Sequence, residues 1–469
     1  MSFSLKKLIE ERWGENYELH EQYVNPQFVK VLRTIGFDKV YKKAGGQYLY
    51  DGEGNRYLDF LSGYGVFGIG RNHPHIKETI RELLDLDLSQ LVQMDCSLLS
   101  GLLAEKLVSL TSKQLDTVFF TNSGTEAVEG ALKFARGATG RNRILYLDHS
   151  FHGLTLGSLS VNGNAEFRDG FGELLPASAI PLNDLTILEH ELKKGDCAAF
   201  IFEPIQGKGL YLPEEKFLPE AQRLCRKYGT LFIADEVQAG LGRTGKWFAY
   251  QHWNLEPDIV CIAKTLSGGF TPVGAILYRR EIYKKIFSRM DRCVVHSNSF
   301  GKNNLAMACG LATLQMMEDE KLPEKATSLG EKMISRLREI GQNYEMFKEV
   351  RGKGLMFGVE FHEPKSLKLK AAWKMIHAAN KGLFGQMIVV PLMANHRILS
   401  QVAGHNIDLV KFLPPLIISD EDVDYFLKSF EKVVADCHKF PGATWEVGMT
   451  LAKNALRSKT PLSVTSPQP

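Results

Sequence analysis

Thr230-Leu-Phe-Ile-Ala-Asp-Glu-Val-Gln-Ala-Gly-Leu-Gly-Arg-Thr-Gly and Pro257-Asp-Ile-Val-Cys-Ile-Ala-Lys-Thr-Leu-Ser-Gly-Gly-Phe-Thr-Pro-Val-Gly-Ala are the two stretches that decide the fold. Each opens on a short apolar run and then turns polar. Apolar runs this short, bounded by turn residues, predict strands covered on both faces, hence a mostly parallel or mixed sheet between layers of helix. Asp235 stands just past the first run, where a carboxylate is costly unless a cation or hydrogen-bond donors meet it. Lys264 ends the second run and leads into Gly268-Gly269. A lysine half-buried there has a depressed pKa and becomes a usable amine nucleophile. Both residues fall at carboxyl ends of strands, where open α/β sheets bind ligands.

The alternation of buried runs and helical stretches extends from about residue 75 to 325, with strands predicted at 117–120, 144–147, 199–202, 231–234, 259–263 and 273–277. Upstream, residues 4–35 predict amphipathic helix, with Leu5, Leu8, Ile9 and Trp13 at helical spacing. Residues 47–60 predict a hairpin turned at Asp51-Gly-Glu-Gly-Asn. Downstream, a helix is expected near 325–342, strand character over 347–361 around Gly352 and Gly354, and a closing helix over 421–437. The expected organisation is an N-terminal segment 1–70, a large domain 71–325, a C-terminal small domain 326–440 and a tail 441–469, disordered at its end. No internal repeat is visible.

Composition narrows the class. With 469 residues, 44% hydrophobic and 24% charged, the chain reads as an ordinary globular protein of two or three structural units. A net charge of +3 with well-mixed signs shows no nucleic-acid footprint. Seven scattered cysteines, never as CxxC, speak against a disulfide framework or a metal site and for a reducing compartment. No run of about 18 apolar residues predicts a membrane span. The start soon reaches Glu10, Glu11 and Arg12, so no signal core is expected, and a cytoplasmic enzyme is the default.

A third stretch completes the chemistry. In Phe119-Phe-Thr-Asn-Ser-Gly-Thr-Glu-Ala-Val-Glu-Gly-Ala-Leu-Lys a strand runs into a turn with a helix directly behind it. Ser123, Gly124 and Thr125 then lie at a helix N-terminus, where free amides and the dipole favour a phosphate. Alone, this is an ordinary helix cap. In order, a phosphate cup, a carboxylate suited to a pyridinium nitrogen and a lysine suited to a Schiff base compose a site for pyridoxal 5'-phosphate (PLP). A nicotinamide-dependent dehydrogenase would need GxGxxG, which Asn122-Ser-Gly-Thr does not supply.

Thr121-Asn-Ser-Gly-Thr-Glu-Ala, Ser150-Phe-His-Gly, Glu203-Pro-Ile-Gln-Gly, Ala234-Asp-Glu-Val-Gln, Gly242-Arg-Thr-Gly, Ala263-Lys-Thr-Leu-Ser-Gly-Gly and Leu413-Pro-Pro-Leu give the chain a specific likeness. From about Gly46 to Val434 it resembles the class III (ω-type) PLP-dependent aminotransferases of fold type I, among them ornithine, acetylornithine and 4-aminobutyrate aminotransferases. The resemblance implies a large domain with a mostly parallel seven-stranded sheet, and a smaller α+β domain made from both termini. It implies that Lys264 holds the cofactor as a Schiff base and then shuttles a proton, and that Asp235 pairs with the ring nitrogen. Gln238 would bond the ring hydroxyl and Phe151 stack on the ring, with His152 beside it in the cofactor-binding motif. Ser123, Gly124 and Thr125 would hold the phosphate, and Glu203 would support the site from behind. Ser299, in His296-Ser-Asn-Ser-Phe-Gly, takes the place of a threonine that reaches the phosphate across a dimer interface, which implies a homodimer with shared active sites.

Three positions depart from the amino-acid-specific members of that family. Leu154 stands where they carry an arginine, Lys208 where they carry a glutamate that gates a distant arginine, and Lys411 where that arginine lies. Lysine does not replace arginine in bidentate carboxylate binding. With Phe67, Leu154 and Leu210, these changes point to a bulky or hydrophobic substrate bearing a primary amine or aldehyde, with Tyr64 and Tyr23 lining the cleft. Alternatively, Lys208 and Lys411 grip an acidic co-substrate such as glutamate or 2-oxoglutarate. Tyr23-Val-Asn-Pro-Gln-Phe and Gly65-Val-Phe-Gly-Ile-Gly-Arg-Asn-His-Pro are similar to the aminotransferases of hopanoid-lipid side-chain synthesis. The competing expectations are an ornithine-, acetylornithine- or 4-aminobutyrate-type enzyme, a PLP aminomutase or racemase, and a non-catalytic PLP-fold binding protein. Lys264, Asp235 and Gln238 kept together argue against the last.

Overall fold

The computed structural model describes residues 3–90, 92, 94–379, 381–404 and 407–458. Three strands, β1 (Tyr41–Gly45), β2 (Tyr48–Asp51) and β3 (Arg56–Asp59), form an antiparallel meander. The expected hairpin is β2–β3, and its turn is held by Asp51, whose Oδ1 accepts from the amides of Glu53 and Asn55.

The central layer contains β4 (Thr117–Thr121), β5 (Arg143–Leu147), β6 (Ala177–Ile180), β7 (Cys197–Phe202), β8 (Leu231–Asp235), β9 (Ile259–Ile262) and β10 (Gly274–Tyr278). Their order is β4-β10-β9-β8-β7-β5-β6, and only β10 runs against its neighbours. Side chains alternate between two cores: Leu145, Phe200, Phe232 and Val260 on one face, Ile144, Ile201, Ile233 and Cys261 on the other. Covering on both faces is why these strands read as unbroken apolar runs. The expected strands recur, and β6 joins them at the edge beside β5. Its Ala-Ser-Ala-Ile sequence is too short and too small to announce a strand.

Near the C-terminus, β11 (Phe347–Lys353), β12 (Met356–Phe361), β13 (Ile398–Leu399), β14 (Gln401–Val402) and β15 (Leu409–Phe412) complete the strands. β11-β12-β15-β14 make one sheet, while β13 pairs in parallel with β3, so both ends of the chain share a sheet. Over 4–35 the chain forms three helices, Leu5–Glu11, Asn16–Tyr23 and Pro26–Thr34. The last break is set by Asn25, whose side chain accepts from the Phe28 amide, with Pro26 in the first turn. Leu5, Leu8, Ile9 and Trp13 are exposed on the single chain.

The segment read as a tail begins with a helix, Ala443–Ser458. Trp445 is 2% exposed and its indole N–H donates to the Cys437 carbonyl. Pro441-Gly442 reads as an end, yet it is the entry to this helix. The disorder expected at the extreme terminus lies outside the described residues. Among the described residues, no helix is long and apolar enough to cross a membrane.

Candidate active site

Six strands of one direction deliver their carboxyl ends to one side of the sheet, and the chemistry-bearing residues follow directly. β8 carries Asp235 into the interior, where it is 4% exposed. Its Oδ2 lies 2.7 Å from His152 Nδ1, and its Oδ1 accepts from the Val237 amide at 3.0 Å. Glu203, just past β7, accepts from the amides of Phe151 at 2.9 Å and Gly207 at 2.8 Å. One buried carboxylate thus ties the Ser150–Gly153 turn to the Glu203–Gly207 turn. Burial pushes Glu203 upward against the pull of His152. The neighbouring Glu236 is different in kind: it caps the turn at Ala249 and Tyr250 through their amides, and burial raises it to about 8.

Lys264 follows β9 with a positive φ of 49°, a conformation that non-glycine residues adopt rarely. The next side chain, Thr265, donates to the Gly65 carbonyl, which fixes the start of this turn against the N-terminal segment. Burial lowers the Lys264 ammonium pKa, opposed by the charges of Asp235 and Glu203, in the direction read from the sequence.

The anion cup forms where β4 meets the 16-residue helix Gly124–Thr139. Ser123 Oγ accepts from the Glu126 amide and Ser123 O from that of Ala127. The amides of Gly124 and Thr125 have no acceptor inside the helix. Thr125 Oγ1 lies 2.8 Å from Thr155 Oγ1 and 2.7 Å from Ser158 Oγ. A Cβ on Gly124 would stand 2.7 Å from Val237 Cγ1, and one on Gly153, at φ +123°, would stand 2.4 Å from Thr125 Oγ1. Both glycines therefore answer to close approach. Val237 closes the cup from below and went unnoticed in the sequence; its signal was its place two residues after Asp235.

Gln238 Nε2 donates to the Tyr64 carbonyl at 2.9 Å, and its Oε1 accepts from Lys411 Nζ. Lys411 also donates to the Gly207 carbonyl at 2.8 Å and is 1% exposed. Burial and the charge of Lys264 hold its pKa well below the usual range. Phe151 meets Phe167 edge-on at 5.6 Å, and Lys208 Nζ lies 5.4 Å from the Phe167 ring centre. Burial lowers Lys208, with Glu166 and Glu203 acting the other way.

Not every residue expected near the substrate faces a cleft. Leu210 is fully buried in a cluster with Ile205, Met356 and Leu409, so it packs the core and does not shape a pocket. Phe67 is packed against Gly63 and Gly269, with Arg71 over its ring at 3.8 Å. Leu154 is 55% exposed. Tyr64 is exposed with φ +60° and joins the site through its carbonyl. Tyr23 and Ser299 both lie exposed on the single chain, Tyr23 on a helix whose neighbour is Pro26–Thr34.

Helix amides and Thr125 for an anion, a buried carboxylate for a protonated ring nitrogen and a lysine of lowered basicity fit pyridoxal phosphate, and the Gly124–Val237 contact leaves the cup open to it. The comparisons agree. The family model described as Aminotransferase class-III matches residues 34–434. The chain is 32% identical over 459 residues to aminotransferase PigE of Serratia sp., covering 91% of this chain and 54% of that longer relative. It is 37% identical over 407 residues to the acetylornithine aminotransferase of Bacillus cereus, covering 86% and 95% of the two chains. Among solved structures, the ornithine aminotransferase of Toxoplasma gondii crystallised with oxidised glutathione, with PLP at partial occupancy in its active site, superposes with a TM-score of 0.79. It is 26% identical, with 94% of this chain and 100% of that chain covered. The chain belongs to the class-III aminotransferases and is a pyridoxal phosphate-dependent transaminase.

Proposed function

We propose that this transaminase moves an amino group between a donor such as glutamate and an aldehyde or ketone, at the primary-amine end of a bulky or hydrophobic substrate. The observation that carries this reading is Lys411. It stands where amino-acid-specific relatives place a carboxylate-binding arginine, and its ammonium donates inward to Gly207 and Gln238. Leu154, exposed where those relatives place another arginine, supports an apolar wall. Lys208 is the cation we assign to the carboxylate of an acidic donor, and its lowered basicity is consistent with a desolvated position.

Pyridoxal phosphate, once bound, supplies a ring that withdraws the electron pair left when a C–H bond beside the reacting nitrogen breaks. The chain's residues do the rest. The Gly124 and Thr125 amides hold the phosphate, and Ser123 orders that turn. Asp235 keeps the ring nitrogen protonated, His152 holds Asp235, and Gln238 donates to the ring oxygen. Phe151 covers a ring face, its backbone pinned by Glu203. Lys264 Nζ would hold the cofactor and, once the incoming amine has displaced it and freed its lone pair, would take the proton from the substrate carbon and deliver it at the other end of the same transfer. One pocket serves both half-reactions, so the donor's keto product leaves before the acceptor enters, giving ping-pong kinetics.

We assign the working unit as a homodimer, each copy's Ser299 serving the phosphate cup of the other. The exposure of Ser299, Phe300, Val294 and Met290 supports a covering partner. Seven free cysteines support a reducing compartment, the cytoplasm. The likeness to an acetylornithine aminotransferase favours one rival, an amino-acid substrate. A screen of amines and aldehydes, followed through the visible absorbance of the lysine-bound cofactor, separates them. Turnover of long-chain primary amines without turnover of ornithine is expected, and efficient ornithine turnover would overturn the proposal. Lys264→Ala is expected to abolish both the band and turnover.

A further inference from the structure

Gln238 is fixed one way round. The Tyr64 carbonyl has only lone pairs, so its partner on Gln238 is the amide nitrogen, which leaves the amide oxygen to accept from Lys411 Nζ. That nitrogen carries a second hydrogen, which neither contact uses. We propose that Lys411 is a positioning residue for transamination: by occupying the Gln238 carbonyl it holds the remaining amide N–H toward the cofactor's ring oxygen. This rests on Gln238 being the partner of that oxygen.

The placement of Lys411 suits the task. β15 lies between β12 and β14, with Lys411 opposite Gly358 on one side and Gln401 on the other, so its backbone is held on both edges. A second donation, to Gly207, anchors the ammonium beside the Glu203 turn. The charged groups around it are Lys264, Glu203, Lys208 and Arg243, three cations and one carboxylate. Burying a lysine among them is costly, and the two hydrogen bonds offset part of that cost. Without Lys411 the Tyr64 carbonyl alone holds the Gln238 amide, and the amide carbonyl loses the donor that fixes its direction.

The test compares the cofactor-loaded wild type with Lys411→Met, Lys411→Gln, Lys411→Arg and Gln238→Leu. A donor to the ring oxygen favours its anionic form, so losing it moves the pH at which the visible absorbance changes upward, by about one unit. Lys411→Met and Gln238→Leu are expected to share that shift, and Lys411→Arg, which keeps donors, to restore most of the wild-type titration. In Lys411→Met, kcat should fall about tenfold while KM for a carboxylate-bearing amine changes little. If Gln238→Leu shifts the titration and Lys411→Met does not, the role of Lys411 is wrong and that of Gln238 stands. If Gln238→Leu leaves the titration unmoved, the assignment of Gln238 itself fails. Should Lys411→Met not fold, Lys411→Gln loses the reach to Gln238 and must show the shift; a wild-type titration there overturns the proposal.

Discussion

His152 Nδ1 stands 2.7 Å from Asp235 Oδ2, with both side chains nearly sealed from solvent. The other carboxylate oxygen takes the Val237 amide, so Asp235 is held at both ends and cannot rotate. The imidazole must carry its proton on Nδ1 to donate here.

His152→Leu leaves Asp235 with one partner in a buried place. Hydrogen bonds to charged groups contribute about 1.5–3 kcal/mol, so kcat/KM should fall roughly ten- to a hundredfold. Steady-state kinetics with a saturating cofactor supply checks this. Activity within twofold of wild type would remove His152 from the site.

Gly124→Ala drives a methyl group against Val237 Cγ1 at 2.7 Å. The expected result is at least tenfold weaker cofactor affinity, measured by equilibrium dialysis, in a protein that still folds. Gly124→Ala combined with Val237→Ala should recover most of the loss, because the two changes act on one contact. Additive losses would contradict the cup geometry.

Glu236 supplies a pH signature. Burial raises its pKa from 4.5 to about 8. Between those values the folded protein keeps a proton that the unfolded chain has released, so stability falls as pH rises through the window and levels off above it. Glu236→Gln cannot ionise and should lose that slope. Relative to wild type it should gain about 4 kcal/mol from pH 5 to pH 9 in paired denaturation curves. Parallel curves at every pH would disprove the linkage.

Trp445→Ala should destabilise the protein by about 3–5 kcal/mol, as removal of a buried large side chain does. Urea denaturation gives the number, and a truncation after Pro441 should lose at least as much. Wild-type midpoints would mean that the helix Ala443–Ser458 is dispensable.

Asp235, Lys264 and Gly124 were legible because each is a local event, a strand end or a helix start followed by a residue whose chemistry is expensive there. β6 was not legible, since Ala177–Ile180 is a short edge strand with little apolar side chain to report it. Val237 escaped because its meaning lies in a glycine from another element. The orientation of Gln238 depends on Lys411, 173 residues away, and no local pattern encodes such a pairing. Leu210 misled in the opposite sense: an apolar residue beside a functional motif reads as pocket lining, whereas here it belongs to a sealed cluster.

The reversed strand β10 separates β4 from β9 in the sheet. The phosphate cup opens off one of these strands and Lys264 off the other, so two strand spacings, about 10 Å in all, lie between them. That separation is a ruler cut by backbone hydrogen bonds, and no side chain can recalibrate it. Substitutions in the loops around Leu154 and Lys208 would therefore leave the gauge between the Gly124 turn and Lys264 unchanged.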